Sequence, residues 1–275
     1  MMDRSPSEGI LAIFAVIKKI KLKSSAMKIL VCISNVPDTT TRIKLSSDQN
    51  AIDLSSVQWI INPWDELALT RALELKEASG GSIESVSIVH VGNAGAEATL
   101  RKALAIGADD AIRVDAAPAD AFAVAHEIAE AIKAKNYDLI LCGIESSDYN
   151  GSAMGGMLAE FLNMESVSSV SKIEIVGNEI KLNREIAGGF EVVSVPTPVI
   201  AIVQKGIAIE PRIPSMRGIM MARKKPLDVV ASAGAEALTE FVHYTPPQPK
   251  ATCKMIDADN AAELVNLLHN EAKII

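Results

Sequence analysis

Short apolar runs recur along the chain with helical segments between them, and this alternation restricts the possible folds more than any other feature. The runs are "KILVCIS" (28–34), "SVSIVHVG" (85–92), "AIRVD" (111–115), "DLILCG" (138–143) and "PVIAIVQ" (198–204). Short continuous runs of this kind suit strands buried on both faces. Between them lie "NPWDELALTRALELKEAS" (62–79), "AEATLRKALAIG" (96–107), "ADAFAVAHEIAEAIKAK" (119–135) and "AMGGMLAEFL" (153–162). The first of these carries helix-start signals: Asn62 as N-cap, Pro63 at the first helical position, and Asp65 and Glu66 in the first turn. Gly107 is a natural C-cap for the second. Strands alternating with helices give a parallel sheet with helices on both sides. The expected fold class is therefore α/β, a doubly wound and mostly parallel sheet of Rossmann-like type.

Two stretches depart from this rhythm. In "KIEIVGNEIKLNREI", Gly177-Asn178 separates two alternating segments, which predicts a β-hairpin added antiparallel to the sheet. Beyond about residue 230 the chain becomes linker-like ("ASAGAEA", "YTPPQPK") and ends in an amphipathic helical pattern, "DNAAELVNLLHNEAKI". Such a tail cannot form its own core. The expected organisation is an extension over 1–26, an α/β domain over 27–230 and a C-terminal arm over 231–275 that packs on a partner. The extension holds "ILAIFAVI", too short to span a bilayer, and its lysines follow the apolar run where a signal peptide puts them first. It is read as disordered or loosely helical, with Met27 as a possible natural start. A weak membrane-surface helix is the alternative, and stable membrane insertion is not expected.

Composition excludes several function classes. A net charge of −7 makes the chain a poor nucleic-acid binder. Cys32, Cys142 and Cys253 are widely spaced and odd in number, which is no disulfide framework and fits a reducing cytosol. Cys32 and Cys142 fall in strand-like runs and read as small core residues. No CxxC or HExxH spacing occurs, so no metal site is expected. No Ser/His/Asp or Cys/His set can be assembled either, so no catalytic residue is assigned.

In an open parallel sheet, ligands bind outside the carboxyl ends of the strands. Three segments end there: "CISNVPD", "HVGNAG" and "CGIESSDYNGSAMGG". The last has hydroxyls and backbone N–H groups at a helix start, which would suit a phosphate. A plain Gly/Ser loop that caps a helix is the competing reading. Neither a Walker motif nor a GxGxxG is present, so a P-loop and an NAD site are unsupported. A second unusual stretch is 204–226, with six Lys/Arg against a single Glu and with Ile213, Met216, Ile219 and Met220 among them. It reads either as a docking loop for an acidic partner or as a solvated basic loop.

Taken together, "KILVCISNVPD", "NPWDELAL", "LRKALAIGADDAIRV", "YDLILCGIESSDYNGSAMGGMLAEFL", "REIAGGFEVV" and "EPRIPSMRGIMMARKKP" give the stretch from about 27 to 230 a family likeness. It resembles the beta (small) subunit of electron transfer flavoproteins. The resemblance implies an adenine-nucleotide-binding α/β domain and a heterodimer with an alpha subunit that holds most of the redox FAD. It implies AMP in the beta subunit, or a second FAD in electron-bifurcating members. It also implies electron exchange with flavin dehydrogenases and with an acceptor such as a quinone oxidoreductase, in a cytoplasmic carrier that is not itself an enzyme. Carried over by position, the nucleotide site falls on Cys32, Asn62, Pro63, Trp64, Asp65, Val91, Gly143, Ser147, Asp148, Asn150, Gly151, Ser152, Ala153 and Met154. Many members have Gln, or Thr or Val, where Ala153 and Met154 stand. Trp64 and Glu185 match positions near the alpha-subunit flavin. Thr39 stands where members carry an aromatic residue. Partner docking falls on Met216, with Arg212 and Arg217 beside it. An adenine-nucleotide-binding stress or sensor protein of similar fold is the alternative. An ATP-dependent ligase or hydrolase would need a phosphate loop after the first strand, and "SNVPDTTT" is not one.

Overall fold

A computed structural model describes residues 26–275 except 48, 49, 178 and 251, so the expectation for 1–26 lies almost wholly outside the described residues. The chain divides into two units. One holds Leu54–Glu240 and the chain up to Ile43, and the other holds Lys44–Asp53 and Phe241–Ile275.

The first unit is built on β1 (Met27–Cys32), β4 (Ile83–Val91), β5 (Asp110–Asp115), β6 (Leu139–Gly143) and β10 (Val199–Val203), which occupy the apolar runs. With β7 (Glu165–Val176), β8 (Glu179–Ile186), β9 (Gly189–Pro196) and β11 (Leu227–Ala231) they form a sheet in the order β11-β5-β4-β1-β6-β10-β7-β8-β9. Pairing is parallel from β11 to β7 and antiparallel between β7, β8 and β9. The expected hairpin is present, and it continues into a third strand that the sequence pattern did not announce. A small antiparallel sheet joins β2 (Asn35–Pro37) to β3 (Trp59–Ile61).

Side chains alternate across the pleat, and both sets are buried. Ile29, Val31 and Ile33 enter one core cluster, together with Leu69 and Leu73 of α1 (Pro63–Ala78) and Leu100 and Leu104 of α2 (Glu97–Ile106). Leu30 and Cys32 enter the other, with Ile128 and Ile132 of α3 (Ala121–Ile132) and Leu158 of α4 (Met154–Leu162). Burial on both faces explains why these strands read as continuous apolar runs. From β1 the chain moves outward through β4 and β5, then returns as β6 on the other side of β1. The order therefore reverses between β1 and β6, and that reversal opens a crevice at their carboxyl ends.

The basic stretch read as a docking loop is not all loop. It contains a short helix, α5 (Met216–Ala222), whose N-cap Ser215 accepts from Gly218 N–H, and it runs into edge strand β11, paired with β5. Helices α2 and α5 cap each other's ends. Arg101 donates to the carbonyls of Ala222 and Lys225, and Lys225 Nζ donates to those of Leu104, Gly107 and Ala108. Cations at helix C-termini satisfy carbonyls left without an intrahelical partner and favour the helix dipole. The two helices also touch: a Cβ at Gly218 would lie 2.3 Å from the Ala105 carbonyl oxygen.

After β11 the chain is strapped to α3 by two carboxylates. Glu127, buried, accepts from Ser232 Oγ at 2.6 Å and from the N–H groups of Ala233, Gly234 and Ala235 at 2.7–3.1 Å. Asp120 caps α3 through Ala123 N–H and also accepts from Leu238 N–H, Thr239 N–H and Thr239 Oγ.

The second unit contains α6 (Ala261–Asn266), capped by Asn260 and continued by a wider turn over Leu267–Glu271. This is a shorter helix than the pattern 259–274 suggested. No described residue of Phe241–Ile275 is buried.

Burial alone would raise the Glu127 carboxyl, but the hydrogen bonds from Ser232, Ala233, Ala235 and Gly234 outweigh it and leave its pKa lowered. Its stabilising contribution is therefore present above the unfolded carboxyl range and is lost as pH falls through the lowered folded value. Glu127→Gln should cost about 2 kcal/mol at pH 7, since all four donors lose a charged acceptor. It should also speed amide exchange over 233–239, with little change in the strands. Acid should produce the same pattern in the unmodified chain.

Candidate functional site

The crevice between β1 and β6 is closed underneath by the start of α1. Pro63 takes the first helical position, where no N–H donor is needed. Asn62 sits at the N-cap, but its side chain makes no cap bond, which corrects the capping role expected from sequence. Instead, its Nδ2 donates to the Glu145 carbonyl at 2.8 Å and its Oδ1 accepts from Ser147 N–H at 3.2 Å. An amide donates and accepts at once, and the loop after β6 presents both partners.

Asp65 lies one turn further on and is 3% exposed. Its Oδ2 accepts from Ser34 N–H at 2.8 Å, just past β1, and its Oδ1 accepts from Gly143 N–H at 3.0 Å, at the end of β6. One carboxylate therefore bridges two neighbouring strand ends. Burial pushes this carboxyl up to about 7, against the pull of hydrogen bonds from Ser34, Asn62 and Gly143. Gly143 is required by proximity, because a Cβ there would lie 2.3 Å from Asp65 Oδ1 and 2.9 Å from Trp64 Cβ.

Cys32 and Cys142 lie side by side on β1 and β6, with Sγ atoms 3.5 Å apart and both residues buried. The hydrogen bond with Cys142, followed by burial, pushes the Cys32 thiol well up, so it stays protonated. What Cys32 offers the crevice is its backbone. Val91 is also buried, at the end of β4. His90 beside it bonds the Ile33 carbonyl through Nδ1 at 2.8 Å, so Nδ1 carries the proton. Burial holds the His90 pKa down, and Arg113 adds to this, leaving the ring neutral at pH 7. The sequence reading had missed His90, although its place near the end of an apolar run was a usable sign.

The loop after β6 is shaped by two residues in the left-handed region, Asn150 (φ 54°) and Ser152 (φ 49°). Ser152 Oγ donates to Glu145 Oε2 at 3.3 Å. Asp148, Asn150, Gly151 and Ser152 are exposed, whereas Ala153 and Met154 are half-buried at the start of α4, which has no side-chain cap. Ser147 Oγ is enclosed and has no hydrogen-bond partner among the described residues. The enclosed hydroxyl and the uncapped helix start both fit an anionic ligand group held at this loop. Cys32, the Asn62–Asp65 segment, Val91 and the Gly143–Met154 segment thus come together at the carboxyl ends of β1, β4 and β6.

The other singled-out residues lie elsewhere. Glu185 is exposed on β8, opposite Phe190 of β9. Met216 is 78% exposed at the start of α5, beside exposed Met220 and Arg217. Arg212 is committed within the fold: its guanidinium makes two 2.7 Å bonds to Glu77, and its N–H donates to Thr70 Oγ. Lys225 is likewise spent on the α2 carbonyls, so the exposed basic face near α5 consists of Arg217, Arg223 and Lys224.

A family model described as "Electron transfer flavoprotein domain" matches residues 50–235, more than half of the chain. The chain belongs to the electron transfer flavoprotein family. It is 36% identical over 253 residues to the electron transfer flavoprotein subunit beta of Syntrophomonas wolfei, covering 90% of this chain and 98% of the relative. The human electron transfer flavoprotein subunit beta is 31% identical over 256 residues, covering 90% and 99% of the two chains. An acryloyl-CoA reductase electron transfer subunit gamma from Anaerotignum propionicum is 31% identical over 243 residues, covering 81% and 90%. This electron transfer flavoprotein chain therefore matches beta subunits along nearly their whole length, and its mixed α/β fold agrees with the family.

Gly143→Ala should lower the stability of the flavoprotein chain by about 1–3 kcal/mol, the usual cost of forcing a methyl into a filled site. Gly156→Ala, inside α4 where the added Cβ meets nothing within 4 Å, is the control and should raise the melting temperature slightly, since alanine is the better helix former. Equal melting temperatures for the two variants would show that the Gly143–Asp65 contact relaxes without cost.

Proposed function

We propose that this chain is the beta subunit of a heterodimeric electron transfer flavoprotein, a carrier and not an enzyme with a substrate of its own. It binds AMP structurally in the crevice at the β1/β6 strand ends, and a second FAD there if the complex bifurcates electrons. With its alpha subunit it helps hold the redox FAD, which when bound supplies reversible electron uptake. Its partners are then the alpha subunit, flavin dehydrogenases as donors and an acceptor such as a quinone oxidoreductase, in the cytoplasm. No described helix is long and apolar enough to cross a membrane.

The observation that carries the nucleotide reading is the enclosed Ser147 hydroxyl, without a partner, in a loop that leads into an uncapped helix start at the topological switch point. An ordinary capping loop would satisfy its own hydroxyl. In this assignment Ser147, Asn150, Ser152 and the backbone up to Met154 hold the phosphate. Asn62 and Asp65 hold the loops, and Trp64 lies on the path toward the alpha-subunit flavin with Glu185. The C-terminal arm from 231 onward packs on the alpha subunit. Its side chains support this, since Val242 and Met255 are 79% and 84% exposed. A sensor protein of similar fold is not favoured by the relatives.

Docking is assigned to Met216 on α5. Exposed Arg217 steers an acidic dehydrogenase surface and acts mainly on association, whereas Met216 fills a pocket and acts mainly on dissociation. Arg212 contributes by holding the segment through Glu77.

The test is co-expression with the alpha subunit, followed by identification of every nucleotide released from the purified heterodimer. One adenine nucleotide per beta chain, besides the alpha-subunit FAD, is expected; a heterodimer with none would remove the assignment. Met216→Ala should weaken reduction of the complex by its dehydrogenase by about 1–3 kcal/mol, the range for truncating an interface anchor. Reduction by dithionite, the bound nucleotide and the melting temperature should not change. Equal slowing of both reductions would assign Met216 to the fold.

A further inference from the structure

Among the described residues, no cation neutralises Asp65. The groups that set its ionisation are burial and the donors Ser34, Asn62 and Gly143. The titratable side chains nearest in the fold are the thiols of Cys32 on β1 and Cys142 on β6, both buried. Glu145 in the β6 loop is tied to Asn62 through its carbonyl and to Ser152 through its carboxylate. Neutral His90 on β4 reaches the β1 loop only through the Ile33 carbonyl. On α1 itself the next residue, Glu66, pairs with Lys102. Asp65 thus makes charge-assisted bonds to Ser34, just past β1, and to Gly143, at the end of β6. Asn62 joins the same two regions, its N–H to the Ser34 carbonyl and its side chain to Glu145 and Ser147, and among the described residues no cation compensates the Asp65 charge.

We propose that Asp65 is a positioning residue of the nucleotide crevice, a proton-sensitive clasp whose ionised carboxylate ties Ser34, where the chain leaves β1, to Gly143, where the β6 loop begins. This rests on the nucleotide assignment given above. The ionised form accepts both N–H groups equally. Adding a proton turns one oxygen into a hydroxyl that faces a donor, so one of the two bonds weakens and the loops gain freedom. The carboxyl's position near neutral pH puts this change within the range a cell experiences. Burial, which favours the protonated form, opposes the clasp, so the ionised state is held by the geometry of its donors. The nucleotide itself need not touch Asp65.

The experiment measures dissociation of AMP from the full chain between pH 8 and pH 6, in the unmodified protein and in Asp65→Asn. Asparagine keeps the shape, but its NH2 faces one of the two N–H donors. In the unmodified chain the dissociation rate should rise about tenfold as pH falls, the equivalent of one weakened charge-assisted bond. In Asp65→Asn it should already be fast at pH 8. There it should retain only the small pH dependence caused by the second ionisation of the phosphate near pH ~6. If AMP binds and the two proteins share one pH profile, the clasp is refuted while the nucleotide site stands. If AMP does not bind the unmodified chain, the nucleotide assignment fails first. Should Asp65→Asn not fold, amide exchange in the unmodified chain decides. Protection of the Ser34 and Gly143 amides, corrected for intrinsic exchange, should fall from pH 8 to pH 6 more than that of Val31 and Leu141. Equal behaviour of all four overturns the proposal.

Discussion

A parallel sheet buried on both faces cannot use its faces for polar chemistry, and the rest of this structure follows from that constraint. Ile29, Val31 and Ile33 fill one side of β1 while Leu30 and Cys32 fill the other. An unpaired polar group on either side would carry a desolvation penalty of about 1–3 kcal/mol. Polar function is thereby pushed to the ends of the strands, and loops must there be held apart without a core beneath them. The start of α1 does this. Asn62 grips the loop after β6, and Asp65 grips the ends of both β1 and β6. Four consecutive residues, Asn62 to Asp65, end a strand-like run, open a helix and set the geometry of the crevice.

The exposed face of α5 obeys a related rule. A short helix is marginal by itself, yet α5 must present Met216 and Met220 to solvent without support from its own apolar face. Its support comes from α2: Arg101 caps the end of α5, Lys225 caps the end of α2, and Gly218 allows the Ala105 carbonyl to approach. Part of a charge run that looks made for a partner is thus spent on the fold. Arg212 on Glu77 is the same case. The exposed cations that remain, Lys205, Arg217, Arg223 and Lys224, are fewer than the six in the sequence stretch, so any steering field there is weaker than a local excess of basic residues implies.

How much of this was legible in the sequence depended on the range of the interaction. Strands β1, β4, β5, β6 and β10 and the four long helices were readable because burial on both sides and the helical period are local patterns. Strand β11 was not readable: "LDVVA" is an edge strand with Asp228 and Val229 exposed, and it follows a basic run, so neither apolar continuity nor alternation marks it. Strand β9 shows the same difficulty, with Phe190 and Val192 exposed. The helix α5 was hidden by Pro214 and by its shortness. At the site, the strand-end segments were visible as clusters of small and hydroxyl residues. The roles of Asn62 and Asp65 were not, because a capping signal and a cross-loop clasp use the same residue types. Only the register that sets Gly143 against Asp65 separates them.

The two carboxylates that organise the first unit illustrate why burial by itself does not fix a charge state. Glu127 and Asp65 are both 3% exposed, but Asp65 lies much deeper beneath the surface, and their pKa values move in opposite directions. Glu127 faces four donors converging from one turn of chain, enough to reverse the effect of burial. Asp65 is enclosed far more deeply, and burial outweighs its donors. Glu127 is therefore ionised throughout the neutral range and acts as a fixed strap. Asp65, whose burial dominates, sits close to its own titration. At the crevice, then, the strand-end carboxyl and the loops it ties share one titration.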